Sequence, residues 1–281
     1  MSNNMPSVFL HGLLETARYE VLPTPKIAEA VRAHVPTSVT VTVTASPAKP
    51  LSHTLDYSVD FARDGYDVVP HLAARQISGR AELTDIVARL TEAGITKVFC
   101  PAGDAPEPAG DYHGSLDLLR DLDFLGRPFA QVGITGYPES HPSIDDDVTI
   151  QAMWDKRPYA THIISNMTFD AEQLGTWVER VRRRGVTLPI IVGAPGPVER
   201  AKLLGMATKI GVGESLRFLK KQKSVFARIA APGFSTDRFI ARVAALSAND
   251  ALGIEGLHLF TFNQVEATEN WRQQLLATPP R

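Results

Sequence analysis

The 281-residue chain holds a single cysteine, Cys100, which rules out a disulfide within it and argues against a thiolate-built metal site. Charge is nearly balanced, with 29 Lys and Arg against 31 Asp and Glu, and the net of −2 gives no electrostatic case for nucleic acid or an anionic membrane. No apolar run reaches the ~18–20 residues of a bilayer span. The N-terminus lacks a basic segment followed by an apolar core, so no secretory signal is expected. Together these features lead to the expectation of a cytoplasmic protein. No Gly-x-Gly-x-x-Gly turn follows the first apolar strand. Pro23-Thr24-Pro25-Lys26 stands there instead, which counts against a dinucleotide-binding open sheet. A Gly-x-Ser-x-Gly elbow is missing, and with it the usual signature of a serine hydrolase. His-x-x-x-His spacing on one helix is absent too, and His, Asp and Glu are scattered, so no metal site is expected.

What is present is an ordinary globular composition, 44% hydrophobic and 21% charged. Short β-branched or apolar runs predict strands at Tyr19–Leu22, Ser38–Thr44, Val68–Leu72, Lys97–Cys100, Ala130–Thr135, His162–Ser165, Pro189–Val192 and Leu257–Phe260. Amphipathic stretches lie between them, among them Leu51–Asp64, Ala81–Ala93, Ser115–Leu122, Ala171–Arg184 and Val198–Ile210. In Ala81–Ala93 the residues Leu83, Ile86, Val87 and Leu90 mark one helix face. Ser115 is a candidate N-cap, and Gly94, Gly185 and Gly211 follow helical patterns as C-terminal glycines do. Trp154 and Trp177 fall on predicted helices and read as packing residues. Strands alternating with helices imply a parallel sheet, and the count of eight favours a closed (β/α)8 barrel over an open sheet. The expected organisation is a short arm at residues 1–16 and one barrel domain at 17–281. Two extra helical segments, near Ser215–Lys221 and Ser235–Ser247, fall between the seventh and eighth strands. Gly211–Ser215 could aim backbone N–H groups at a phosphate, although a loop beside a solvated basic face explains it as well.

In such a barrel the strand C-termini and the loops after them carry the site. Glu20 lies in the first strand, Thr44 ends the second, His71 is near the end of the third and Asp104 follows the fourth. Tyr137, Glu139 and His141 follow the fifth in a loop stiffened by Pro138 and Pro142. Asn166 ends the sixth, with Phe169 just beyond, and His258 is inside the eighth, followed by Thr261 and Asn263. Glu20 is the most unusual of these, because burying a carboxylate without a partner is costly. Burial disfavours its charged form and suits a general acid, whereas an ion pair would make it structural. The histidines and Asp104 each have an ordinary reading as packing or turn residues.

Taken together, the strand-end residues resemble the 5,10-methylenetetrahydrofolate reductase family. Tyr19-Glu20-Val21-Leu22-Pro23-Thr24-Pro25-Lys26 resembles that family's Phe-Glu-Phe-Phe-Pro-Pro-Lys, and Pro70-His71-Leu72 its Pro-His-Leu-Thr. Val43-Thr44 resembles its second-strand end, and Gly103-Asp104-Ala105-Pro106 its Arg-Gly-Asp-x-Pro. Gly136–Pro142 resembles Ala-Tyr-Pro-Glu-x-His-Pro, and Asn166–Asp170 resembles Gln-x-Phe-Phe-Asp. Leu257–Asn263 resembles His-Phe-Tyr-Thr-Leu-Asn. The matches keep their order across residues 19–263.

The resemblance implies a (β/α)8 barrel that reduces 5,10-methylenetetrahydrofolate to 5-methyltetrahydrofolate. It makes Glu20 the general acid and Asp104 the carboxylate that meets the pterin ring. It makes Asn166, Phe169 and His258 substrate-binding residues, with Asn166 standing for a glutamine. Thr44, His71, Tyr137, Glu139 and His141 would line the redox-cofactor cleft. A folate substrate and NADH or NADPH are the implied partners. FAD is the family's usual cofactor, but the family's Arg before Gly-Asp is Ala102 here. A family Asp on the following helix aligns with Val148, and a family Lys with Asp155. These departures lean toward members that pass hydride directly from a nicotinamide to folate. The alternatives are an FAD-dependent reductase, a C1-transfer enzyme using the same cleft, and a non-catalytic folate-binding relative.

Overall fold

The computed structural model describes residues 5–197 and 234–277. All eight predicted strands are present and pair in parallel: β1 (Arg18–Val21), β2 (Thr40–Val43), β3 (Val68–Pro70), β4 (Lys97–Phe99), β5 (Gln131–Gly136), β6 (His162–Ser165), β7 (Ile190–Pro195) and β8 (Ile254–Phe260). The sheet runs β3-β2-β1-β8-β7-β6-β5-β4. A bridge between His71 and Phe99 brings its two edges together, with Leu72 N–H donating to the Phe99 carbonyl at 2.7 Å. The result is a nearly closed (β/α)8 barrel, as the strand count implied.

The helices among the described residues are α1 (Met5–Glu15), α2 (Ile27–His34), α3 (Leu51–Arg63), α4 (Arg80–Glu92), α5 (Ser115–Phe124), α6 (Asp146–Lys156), α7 (Ala171–Arg183), α8 (Thr236–Ser247) and α9 (Val265–Leu276). None of them is long and apolar enough to cross a membrane. The predicted arm at residues 1–16 is largely helix α1. It buries Leu13 and Leu14, and the buried Arg272 of α9 donates to the Leu14 carbonyl at 2.7 Å. The helical segment expected near Ser235–Ser247 is α8, with Ser235 accepting from Arg238 N–H. The stretches Val198–Ile210, Gly211–Ser215 and Ser215–Lys221 lie outside the described residues.

The α7 sequence shows why these segments are helices. Asp170 caps it by accepting from Glu172 and Gln173 N–H, and Ala171, Leu174, Trp177, Val178 and Val181 form one buried stripe. Arginines fill its last turn, where the helix dipole favours cations, and Gly185 follows at φ 81°. Gly136 at the end of β5 leaves room for Trp177, whose ring atoms would be 2.7 Å from any Cβ there. Trp154 differs from expectation: it is partly exposed and carries the Arg157 guanidinium 3.5 Å from its ring centre. Ser115 is not a cap either. It opens α5, and its hydroxyl donates to the Cys100 carbonyl at 2.6 Å, while Asp117 accepts from Gly114 N–H.

Alternate residues of each strand face the barrel axis. Near the strands' N-terminal ends the interior is polar, with Arg18 donating to His162 Nε2 at 3.0 Å and to Gln131 Oε1 at 3.3 Å. Above it lies an apolar layer of Val69, Phe99, Ile164 and Ile191. The guanidinium has no lone pair, so His162 must accept at Nε2 and carry its proton on Nδ1, which lies 2.8 Å from Thr161 Oγ1. Burial first, then the charge of Arg18, holds this imidazole down to about 3. An unfolded histidine titrates near 6.5, so at lower pH the unfolded chain binds the extra proton first. The contribution of His162 to stability is therefore complete above pH 6.5 and is lost as pH falls from there toward about 3. Denaturant titrations across pH 4–6 are expected to show a slope that falls by about 1.4 kcal/mol per pH unit in His162→Gln. Equal slopes in the two proteins would contradict this account of the polar layer.

Candidate active site

Above the apolar layer, three side chains far apart in sequence converge. Glu20 of β1 and His258 of β8 face each other because β1 and β8 are neighbours, and His71 follows β3. Glu20 Oε2 is 2.9 Å from His258 Nε2 and 3.9 Å from His71 Nε2. At 2.9 Å the first contact is a hydrogen bond, so one proton is held between Oε2 and Nε2. The side chain of Glu20 is 14% exposed and that of His258 0%, so Glu20 alone of this pair can touch a bound molecule. His258, expected among the substrate contacts, is sealed from the mouth and meets Glu20 instead. His71 is also buried, edge-on to the Phe99 ring at 4.8 Å. Burial pulls its imidazole down to about 4, against an opposing pull from Glu20, so the ring is neutral at ordinary pH. The scatter of His and Glu along the chain, which argued against a metal site, disappears on folding. The ligand atoms of Glu20, His71 and His258 all lie within 4.8 Å of one another.

The loop after β8 fixes the acid. Thr261 Oγ1 donates to the Glu20 carbonyl at 2.6 Å, and Asn263 bridges to the strand end, accepting from Leu22 N–H and donating to the Leu22 carbonyl. Phe262 and Asn263 adopt positive φ, 49° and 59°, to make this clasp. Thr261 and Asn263 were noted in the sequence only as followers of His258. Their role needs the β1–β8 pairing, which no local pattern reveals.

On the other side of the mouth, Tyr137 packs edge-on against His141 at 4.9 Å, with Asp104 close enough to act on it. Burial, then the Asp104 charge, pushes the Tyr137 phenol up to about 12. Asn166 follows β6, with its N–H on the Gly136 carbonyl and its Oδ1 accepting from Met167 N–H. Phe169 stacks edge-on with Phe234 at 5.4 Å. Thr44 follows β2, its hydroxyl buried and without a hydrogen-bond partner among the described residues. Glu139, expected along the cofactor cleft, is also a bracing group. Its Oε1 accepts from Thr168 Oγ1 at 2.8 Å, Phe169 N–H at 2.6 Å and Asp170 N–H at 3.0 Å. Ser140, at φ 65°, turns the chain there. Glu139 thereby ties the loop after β5 to the start of α7, where backbone donors and the helix dipole favour an anion.

The family model for methylenetetrahydrofolate reductase matches residues 24–275. The chain belongs to the methylenetetrahydrofolate reductase family. Methylenetetrahydrofolate reductase 2 of Saccharomyces cerevisiae is 25% identical over 122 residues, 40% of this chain and 20% of the relative. Methylenetetrahydrofolate reductase 1 of Schizosaccharomyces pombe is 27% identical over 136 residues, 45% of this chain and 22% of the relative. The matched stretch is thus about a fifth of either relative's length. Among solved structures, a putative lyase/mutase from Burkholderia cenocepacia J2315 superposes at a TM-score of 0.50 with 13% identity, over 97% of this chain and 85% of that one. That likeness concerns the fold alone.

The family's usual flavin would bring a diphosphate, which calls for cations or free N–H donors. Ala102 is exposed and brings no positive charge; its carbonyl accepts from Arg75 N–H at 2.9 Å. The Arg75 guanidinium itself donates to the carbonyls of Ala105, Pro106 and His113, holding the loop after β4. Val148 lies in the first turn of α6, 56% exposed, in a helix start that carries Asp145, Asp146 and Asp147. These positions do not fit a diphosphate. Asp155 is in the last turn of α6 and accepts from Gln151 Nε2 at 2.9 Å.

Proposed function

We propose that the chain reduces 5,10-methylenetetrahydrofolate to 5-methyltetrahydrofolate, taking hydride directly from NADH or NADPH. The Glu20–His258 pair carries this reading: a proton held at 2.9 Å, behind the member of the pair that reaches the mouth. Opening the imidazolidine ring needs a proton on N10. Glu20 delivers it, the methylene carbon–N10 bond breaks with its electrons going to N10, and an N5-iminium remains. Hydride from C4 of the reduced nicotinamide then adds to the methylene carbon, giving the methyl group and the oxidised nicotinamide. His258, hydrogen-bonded to Glu20, holds the carboxyl in place and returns a proton to it. Asp104 and Asn166 are assigned to the pterin, the first by charge and the second through its side-chain amide. Phe169 supplies an aromatic wall, and Thr44, His71, Tyr137 and His141 the remaining surface of the cleft.

The poor fit of Ala102 and of the acidic α6 start to a diphosphate supports direct transfer over bound FAD. The test is the visible absorption of the purified protein, followed by NADH and NADPH oxidation on addition of methylenetetrahydrofolate. The expected result is no flavin band and substrate-dependent oxidation of a nicotinamide. A stoichiometric flavin spectrum would remove direct transfer, and no turnover with either nicotinamide or added FAD would remove the reductase.

A further inference from the structure

We propose that Glu20, His71 and His258 form a reversible binding site for a divalent transition-metal ion of the Zn2+ type, through Glu20 Oε2, His71 Nε2 and His258 Nε2. The first observation is their convergence. A ligand atom from each of the three residues lies within 4.8 Å of the others, and Oε2 is 2.9 Å and 3.9 Å from the two Nε2 atoms. A tetrahedral ion with bonds of about 2.0–2.1 Å holds its ligand atoms about 3.4 Å apart, so side-chain shifts of about half an ångström at the two Oε2–nitrogen contacts, and of no more than about 1.4 Å between the two imidazoles, complete the site. The second observation is independent. His71 Nε2 is buried with no hydrogen-bond partner among the described residues, on the side that faces Oε2. Buried polar atoms are almost always satisfied, and this one is aimed at a carboxylate and a second imidazole, where an ion would satisfy it.

The donor set decides the class of ion. Two imidazole nitrogens and one carboxylate oxygen suit Zn2+, Co2+ or Ni2+, and discriminate against Mg2+ and Ca2+, which take oxygen. Three protein ligands leave a fourth position, and the exposure of Glu20 puts that position toward the mouth. The surroundings decide the affinity. A metal-bound histidine usually donates its other ring N–H to an acceptor, yet His258 Nδ1 is buried without a partner among the described residues. Missing support of that kind costs about 10–100-fold in affinity, so the ion is exchangeable rather than permanently held. Its binding also has a consequence. The ion takes the oxygen that shares a proton with His258, so metal loading and proton donation by Glu20 exclude each other.

Calorimetric titration of Zn2+ into the full chain, paired with the visible spectrum of the Co2+-loaded protein, tests the site. The expected result is one ion per chain and a Co2+ spectrum of a low-coordinate nitrogen and oxygen site. Both are expected to be lost, or weakened at least about tenfold, in His71→Ala and in His258→Ala. His71→Gln and His258→Gln, which keep more of the packing, carry the comparison if circular dichroism shows that an alanine variant is unfolded. No saturable Zn2+ binding in the wild-type chain, or binding unchanged in folded variants at both histidines, would overturn the proposal. These readouts use no folate and no nicotinamide, so a failed reductase assay leaves them intact. Inhibition by Zn2+ is the one consequence that rests on the proposed reaction.

Discussion

Glu20→Gln is expected to lower turnover by at least ~10²-fold, the scale of general acid catalysis, while folate binding changes little. Glutamine keeps the length and can still hydrogen-bond His258, so the clasp from Thr261 and Asn263 and the packing around His71 survive. What it lacks is a transferable proton. The effect should therefore appear in kcat and not in the dissociation constant for folate, read by fluorescence quenching. The alternative of a non-catalytic folate-binding relative predicts no turnover in either protein. An active Glu20→Gln enzyme would remove Glu20 from the acid's role and leave its burial beside two histidines as packing.

Glu139→Ala is expected to destabilise the fold by about 2–4 kcal/mol, because three donors lose a charged acceptor at once. Phe169 N–H and Asp170 N–H lie just before α7, and Asn166 is five residues before its first residue, so the loop bearing Asn166 and Phe169 loosens with them. KM for folate should rise and KM for the nicotinamide should not. Glu139→Gln keeps an oxygen acceptor and should fall between the two. Thermal unfolding and steady-state kinetics on the same preparations separate this from a cofactor contact, which would raise KM for the nicotinamide with stability unchanged.

The barrel was legible in the sequence because its eight strands are short apolar runs separated by strongly amphipathic helices. His162–Ser165 was placed to the residue, and the other strands to within a few positions. What escaped was set by contacts between distant segments. Residues 1–16 show no bounded apolar stripe of their own, yet α1 is held by Leu13, Leu14 and the reach of Arg272 from the far end of the chain. Ser115 has the residue type of a cap and the hydroxyl of a cap, but the nearby Cys100 carbonyl claims it. The site divides in the same way. Strand-end position alone marked Glu20, His71, Asp104 and Asn166, since a (β/α)8 barrel gathers its strand ends. It could not show that Glu20 and His258 share a proton, that His258 is sealed from the mouth, or that Glu139 braces a loop.

The central claim is direct hydride transfer from nicotinamide to the folate methylene carbon, with the proton supplied through Glu20. The most direct measurement is mass spectrometry of the product formed with NADH deuterated at both C4 positions. Direct transfer places one deuterium in the 5-methyl group at full enrichment, whatever the solvent. Unlabelled 5-methyltetrahydrofolate, or label diluted by protons from water as expected for passage through an exchangeable flavin N–H, would contradict the account.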